Sequence, residues 1–335
     1  MFFNFSQDVA IDLGTANTLV YIRGEGIVLN EPSIVAVDHN TREVRELGYE
    51  ALQMHERTHQ DIETIWPLKD GVIADFKVAE QMIQGLLKKV KKNWLTSIRS
   101  MVVCVPSGIT EVEKRAVRDS AEHAGAKKVN LVAEPMAAAI GIGLDISEAV
   151  GNMVVDIGGG TTEIAVIALS GIVIDESLRV GGSELDNAIM QYFKRNHNLL
   201  IGSRTAERIK CEIGSATGLD TELELSVKGR DLVSGIPKLR TISSVDVRDA
   251  LHDNLDQISA AVLRALERTP PELGADVLER GIMMTGGGAM LDGIDKMLRE
   301  RVELPVYVAE DPLTAVVRGT GEVLENLEDY ERVLT

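Results

Sequence analysis

The chain has 335 residues, 44% of them hydrophobic but only 4% aromatic, and a formal net charge of −17. That is enough apolar material for a sizeable core in two domains, built from Val, Ile, Leu, Ala and Met. The charge disfavours nucleic-acid binding, which needs a broad basic face. No apolar run reaches the ~20 residues that span a bilayer, and Met1 to Ser6 lacks a signal peptide's basic segment and long apolar core, so the expected compartment is the cytosol.

In chain order, Val9-Ala10-Ile11 reads as a strand, Asp12-Leu13-Gly14-Thr15-Ala16-Asn17-Thr18 as a tight turn, and Leu19-Val20-Tyr21-Ile22 as a returning strand. Residues 26–29 and 33–37 extend the meander. Val78, Met82, Ile83, Leu86, Leu87 and Val90 recur with helical spacing. A buried-strand pattern at 101–105 ends at Pro106, and a helix follows behind a capping box of Thr110 and Glu113. Its predicted apolar face is Val112, Ala116 and Val117, and it stops near Gly125. A strand at 129–132 leads to Glu134-Pro135 and a helix of small residues at 136–142.

Around residues 145–151 the chain restarts. Met153-Val154-Val155 precedes Asp156-Ile157-Gly158-Gly159-Gly160-Thr161-Thr162, and Ile164-Ala165-Val166-Ile167 follows, so the opening motif returns 144 positions later. Two helices (183–216), a short β section (221–242) and further helices (245–267) come next. A third glycine cluster, Thr285-Gly286-Gly287-Gly288-Ala289, follows the strand-like Ile282-Met283-Met284 and precedes a helical pattern at Ile294, Met297 and Leu298. The alternation is that of an α/β protein. Cys104, in the 101–105 strand, and Cys211, on a predicted helix, read as small core residues of a reducing compartment rather than a disulfide or metal pair.

Glycines let backbone N–H groups come close to an anion, threonine hydroxyls add donors, and an aspartate beside phosphates suits a hydrated Mg²⁺. Two such turns suggest two related half-molecules gripping one polyphosphate from opposite sides. Neither turn is a P-loop, since no Lys-Ser/Thr follows the glycines, and neither opens into a helix as a Rossmann turn does. The third cluster leaves room for a flat ring or a phosphate against its backbone. Glu134 reads either as an exposed loop carboxylate or as a group that handles a water; Asp156 reads either as a turn former or as a cation holder. Glu207 and Lys210, three apart on one helix face, read first as a solvated ion pair.

These motifs resemble the actin/hexokinase/heat-shock-chaperone ATPase superfamily and, within it, the MreB family of bacterial actins that determine rod shape. The order of a first phosphate turn (12–18), a connecting helix (133–141), a second phosphate turn (156–163) and an adenosine turn (285–291) carries the likeness. Its most specific parts are Val132-Ala133-Glu134-Pro135-Met136-Ala137-Ala138-Ala139-Ile140-Gly141 and the stretch from Asp156 to Glu163. The resemblance runs end to end and implies an actin-like fold: two related ribonuclease-H-like domains around a nucleotide cleft, each with a smaller subdomain inserted. The expected division is 1–147 (small subdomain 33–65), completed by 315–335, and 148–314 (small subdomain 181–244).

It further implies an ATPase whose hydrolysis is coupled to filament dynamics, with ATP and Mg²⁺ as cofactors. Glu134 would orient or deprotonate the attacking water, Thr161 would help to position the water or phosphate, and Asp12 and Asp156 would hold Mg²⁺ through its waters. Gly14, Thr15, Ala16, Asn17, Gly158, Gly159 and Gly160 would supply donors to the phosphates. Glu207, Arg208, Ile209 and Lys210 would face the ribose and adenine, and Gly287, Gly288, Ala289 and Met290 would flank the adenine.

The implied partners are other copies of the chain in head-to-tail, paired protofilaments, the inner face of the cytoplasmic membrane, and the cell-wall elongation machinery. Two patches suit a membrane: Phe2, Phe3 and Phe5 at the start, and Trp94-Leu95 after Lys88, Lys89, Lys91 and Lys92. Lysines also favour helix C-termini, and Trp94 could cap the core instead. A small-molecule kinase of the sugar or acetate type, or a chaperone-like or plasmid-segregation ATPase, would use the same fold.

Overall fold

The computed structural model describes residues 6–91 and 97–335. Phe2, Phe3, Phe5, Lys92, Trp94 and Leu95 lie outside those residues. The fold is built on two five-stranded mixed sheets with one topology. From one edge to the other, the first runs Gly26–Pro32, Asn17–Ile22, Ser6–Leu13, Ser97–Val105, Ala126–Ala133. The second runs Gly171–Leu178, Thr162–Ala168, Asn152–Ile157, Ile282–Thr285, Val306–Val308. In each, an antiparallel meander supplies three strands, and its first strand takes a parallel partner that pairs in turn with a second parallel strand. Parallel neighbours need crossover connections, here Glu111–His123 between the last two strands of the first sheet and Ile294–Val302 in the second.

Between the meander and the first parallel strand, each half inserts a three-stranded antiparallel sheet. In the first half it is Val44–Leu47, Val35–Asp38 and Ile62–Ile65; in the second it is Leu199–Leu200, Glu224–Asp231 and Pro237–Ser243. The meander and insertion therefore occur twice in one order, as the repeated motif leads one to expect.

Strand periodicity assigns the faces. Val9, Ile11, Val20, Met101 and Val103 look outward into a core shared with the helices Phe76–Val90 and Glu111–His123. Met153, Val155, Ile164, Val166 and Met284 do the same in the second half, beneath Gly182–Asn196 and Ser244–Arg268. The alternate residues, Ala10, Val102 and Val132 from one sheet and Val154, Ala165 and Ile167 from the other, meet in a third core between the sheets. Two helices fill that core, Glu134–Gly141 and Ala315–Glu325. They cross without side chains between them: a Cβ on Gly141 would sit 1.9 Å from Ala315 O, and one on Gly319 would sit 1.8 Å from Ala137 O. The end of the chain then returns to the first sheet, where Glu325 accepts from Tyr21 Oη and Gly24 N, and Leu334 bridges Val132.

Local readings of the sequence meet the structure unevenly. The capping box at Thr110 and Glu113 is present, and the 78–90 periodicity is the helix Phe76–Val90. Val112, however, is 79% exposed rather than part of the apolar face. It lies five residues before the buried Val117, about 140° around the helix from it, and the buried stripe is Val117, Ser120 and Ala121. Cys211 is also exposed, on the outer side of Ser203–Ile213, so it is not a core residue; Cys104 is buried.

Candidate functional site

Both sheets change character at one rim, the carboxyl ends of their parallel strands. The inward-facing positions are apolar deep in the molecule and become Asp12, Asp156 and Thr285 at those ends, joined by Glu163 at the amino end of its antiparallel strand, where Glu134 begins its helix. Ligands of open α/β sheets bind at such carboxyl ends.

The two glycine turns face each other across this rim. A Cβ on Gly159 would fall 2.5 Å from Ala16 Cβ, and one on Gly160 would fall 2.5 Å from Thr15 Oγ1. Only glycine lets the second turn come this close to the first. Ser33 braces the first turn from behind: its hydroxyl donates to Gly14 O (2.6 Å) and its N–H to Ala16 O (2.8 Å). Asn17 is tied sideways to Asn30 (3.0 Å). In the second turn the Gly158 N–H closes onto Thr161 O (2.8 Å), so the donors left to the turn are those of Gly159 and Gly160. The start of Gly182–Asn196 holds the turn's carbonyls, Gly182 N–H donating to Gly158 O and Ser183 N–H to Gly159 O. The positive end of that helix thus points at the turn.

Among these groups the carboxylates are short of countercharge. Burial pushes Asp12 up to about 6, against a hydrogen bond donated by the Cys104 thiol (3.2 Å). Burial pushes Asp156 up to about 7, opposed by the Thr285 hydroxyl (2.8 Å) and assisted by the charges of Asp12 and Glu163. Glu134 is raised well above the usual range, first by burial and then by Glu163, Asp12 and Asp156. A cation among them would relieve this repulsion. Among the described residues no cluster of three or more His, Cys, Asp or Glu could cage a metal. Asp12 and Asp156, two carboxylates beside the glycine turns, suit an ion whose remaining ligands are water and phosphate, as Mg²⁺ prefers.

The third glycine cluster closes one side. Gly286, at φ 80°, lies on the end of Asn152–Ile157, where a Cβ would sit 2.3 Å from Ile157 O and 2.8 Å from Asp156 Oδ1. A single 3-10 turn, Gly287–Met290, then separates the strand from Ile294–Val302; its Ala289 is buried and Met290 is 60% exposed. On the helix Ser203–Ile213, Glu207 and Arg208 are exposed while Ile209 is wholly buried in the second core, so its side chain faces away from any ligand. Lys210 pairs not with Glu207 but with Asp186 (2.8 Å), and its ammonium also donates to Gly182 O (2.9 Å). Burial still pushes Asp186 up to about 6. Lys210 thus ties this helix to the one behind the second turn.

Sequence reading overlooked Cys104, Thr285, Glu163 and Asp186. The first two are register partners of Asp12 and Asp156 on adjacent parallel strands, and Glu163 is the antiparallel partner of Asp156. A charged residue inside the apolar run 162–168 was the available signal for Glu163; no local signal pairs Asp186 with Lys210.

A family model described as MreB/Mbl protein matches residues 6–332. The chain is 53% identical over 329 residues to the cell shape-determining protein MreB of Escherichia coli (strain K12), covering 97% of this chain and 95% of that one. Among solved structures it is similar to MreB5 of Spiroplasma citri bound to AMPPNP, with a TM-score of 0.92, 37% identity and 97% of each chain covered. The MamK double helical filament shares the fold at a TM-score of 0.80 and 22% identity, over 96% of this chain and 99% of that one.

Proposed function

Since the chain belongs to the MreB/Mbl family, we propose that it binds ATP with Mg²⁺ in the cleft between its two sheets, hydrolyses it, and assembles into head-to-tail filaments on the membrane. The observation that carries this reading is the apposition of the two glycine turns beside Asp12, Asp156 and Glu134. The likeness to a relative solved with AMPPNP supports the choice of nucleotide.

In this reading Gly14 to Asn17 and Gly159 to Gly160 hold the phosphates, and Asp12 and Asp156 would hold Mg²⁺. The ion, when bound, neutralises phosphate charge. Glu134 orients the attacking water and takes its proton; a carboxylate whose proton affinity is raised by burial and then by its neighbours' charges suits that task. Thr161 helps to place the water. Phosphoryl transfer asks a protein chiefly for positioning and charge stabilisation. Gly287 to Met290 and the Glu207–Lys210 turn of helix flank the nucleoside, Ile209 through its backbone only.

Two domains, 1–147 with 315–335 and 148–314, would close on the nucleotide; the duplicated sheet order supports that division. The closed monomer adds to a filament, which remains open-ended because a head-to-tail contact need not close into a ring. Phe2, Phe3, Trp94 and Leu95 attach the filament to the inner face of the membrane, where it guides wall synthesis and maintains rod shape. No helix of the described residues is long and apolar enough to cross a membrane, so attachment would be peripheral.

The test is pelleting of the purified protein with anionic liposomes, with and without Mg-ATP, beside liposome-free controls and a phosphate-release assay. ATP-dependent pelleting with filaments in electron micrographs supports the proposal. A monomer under every condition, with turnover accelerated by added sugar, overturns it in favour of a kinase.

A further inference from the structure

Ser107 belongs to the first half, between the strand Ser97–Val105 and the helix Glu111–His123, yet its contacts lie on the opposite wall. Its hydroxyl is 2.7 Å from Glu163 Oε2 and 2.5 Å from Asp175 Oδ1, and its N–H reaches Glu163 Oε2 at 3.3 Å. The other oxygen of Glu163 accepts from Ser177 Oγ at 2.7 Å, and the residue is fully buried. Gly108 permits the approach, since a Cβ there would already be 3.3 Å from Ser177 Cβ.

Glu163 stands on the strand Thr162–Ala168, two residues beyond Thr161 of the preceding turn, and opposite Asp156. Thr161 is gripped from the first half as well: a Cβ on Gly71 would lie 2.8 Å from Pro106 Cγ and 3.0 Å from Thr161 Cγ2. Loops of one wall thus hold both Thr161 and Glu163 of the other. The contact differs from another bridge between the halves, Ser203 N–H to Glu56 (3.3 Å), which is solvent-exposed and so contributes little. Separating the walls would strip Glu163 of the Ser107 N–H and of the hydroxyl it shares with Asp175, leaving Ser177 as its remaining side-chain donor here, a costly change for a buried carboxyl group.

We propose that Ser107 is a positioning residue for hydrolysis: by bridging Glu163 and Asp175 it registers the two walls, so that Thr161 and Glu134 address the same terminal phosphate. This rests on the nucleotide-cleft reading above and adds to it the contact that defines the closed state.

The experiment compares the full-length parent with Ser107→Ala, Ser107→Thr and Glu56→Ala in Mg-ATP turnover and in release of a fluorescent ADP, after melting curves have shown that each is folded. Loss of a hydrogen bond to a charged group should lower kcat about tenfold and speed ADP release about tenfold in Ser107→Ala. The threonine variant, which keeps the hydroxyl, should recover most of both. Glu56→Ala should stay within about twofold of the parent, as exposed pairs do. Parent-like kcat and release in Ser107→Ala would overturn the inference, and so would a threonine variant no better than alanine, since the hydroxyl would then not be the active feature. A parent that binds no nucleotide would refute the cleft reading itself, and that failure is visible without any variant.

Discussion

The two glycine turns follow one plan and sit in different surroundings. Both close a strand that carries an aspartate on its inward face, and both aspartates meet a donor from the neighbouring parallel strand. For Asp12 that donor is a thiol at 3.2 Å; for Asp156 it is a hydroxyl at 2.8 Å. Asp156 is nevertheless pushed up to about 7 against about 6 for Asp12, the charges of Asp12 and Glu163 adding to its burial. The repeat thus supplies the scaffold, while the charges that differ between its copies set the chemistry. Glu134, which has a counterpart in neither turn, stands where the two copies meet.

The comparison breaks most sharply at that third carboxylate. Glu134→Ala should leave ATP binding intact and slow hydrolysis about 10²-fold or more, as loss of a positioned base does; phosphate release beside a nucleotide-binding titration reads both. Unchanged turnover would remove Glu134 from the chemistry.

Next come the glycines. Gly159→Ala places a methyl 2.5 Å from Ala16 Cβ, whereas at Gly158 the nearest atom is Thr161 O at 3.3 Å. The first variant should weaken nucleotide binding at least about tenfold and cost about 1–3 kcal/mol in denaturant melts, as overpacking does. The second should cost less in both measurements, and equal losses would refute the apposed-turn geometry.

The aspartates sharpen the comparison through pH. Both are raised in the folded protein, so their contribution to stability is complete below the unfolded carboxylate range near ~4. It is lost as pH rises, through about 6 for Asp12 and about 7 for Asp156. The nucleotide-free protein should therefore melt at falling temperature between pH 5 and 7.5, by linkage. Asp156→Asn, which cannot titrate, should flatten the fall more than Asp12→Asn, and Mg²⁺ with nucleotide should flatten it in the parent. A melting temperature that rises over this range would contradict the assignment.

The smallest contrast lies in the donors. Thr285→Ala should cost about 1 kcal/mol and Cys104→Ala less, since a thiol is the weaker donor; paired urea titrations resolve the order. At the membrane, Trp94 and Leu95 changed together to Ser should reduce liposome flotation without loss of circular dichroism. Unfolding instead would return Trp94 to the core.

Much of this was legible in the chain, for reasons that differ by element. Strand and turn positions follow from apolar runs broken by glycine, so both hairpins and the third cluster lie where the sequence places them. Helix starts follow from side-chain caps, as at Thr110. Facing is harder to read where helices have small residues on several sides; Val112 looked apolar enough to be buried and is not. Partners brought together across long separations, by sheet register as with Cys104 and Asp12 or by a loop reaching the opposite wall as with Ser107 and Glu163, leave no local trace. Lys210 shows the same limit, because its real partner is 24 residues away on another helix rather than three away on its own.

The crossing of Glu134–Gly141 with Ala315–Glu325 bears on how such a molecule could move. Backbones that meet with no side chain between them cannot slide past one another without a clash, yet they can pivot about the point of contact. A crossing of this kind favours pivoting over sliding, and Glu134 stands on the first turn of one of its arms. Any rotation that opens or twists the cleft must carry that carboxylate with it. A filament neighbour that favours one angle of the crossing would thereby set the reach of the proposed base, with no need to touch the nucleotide.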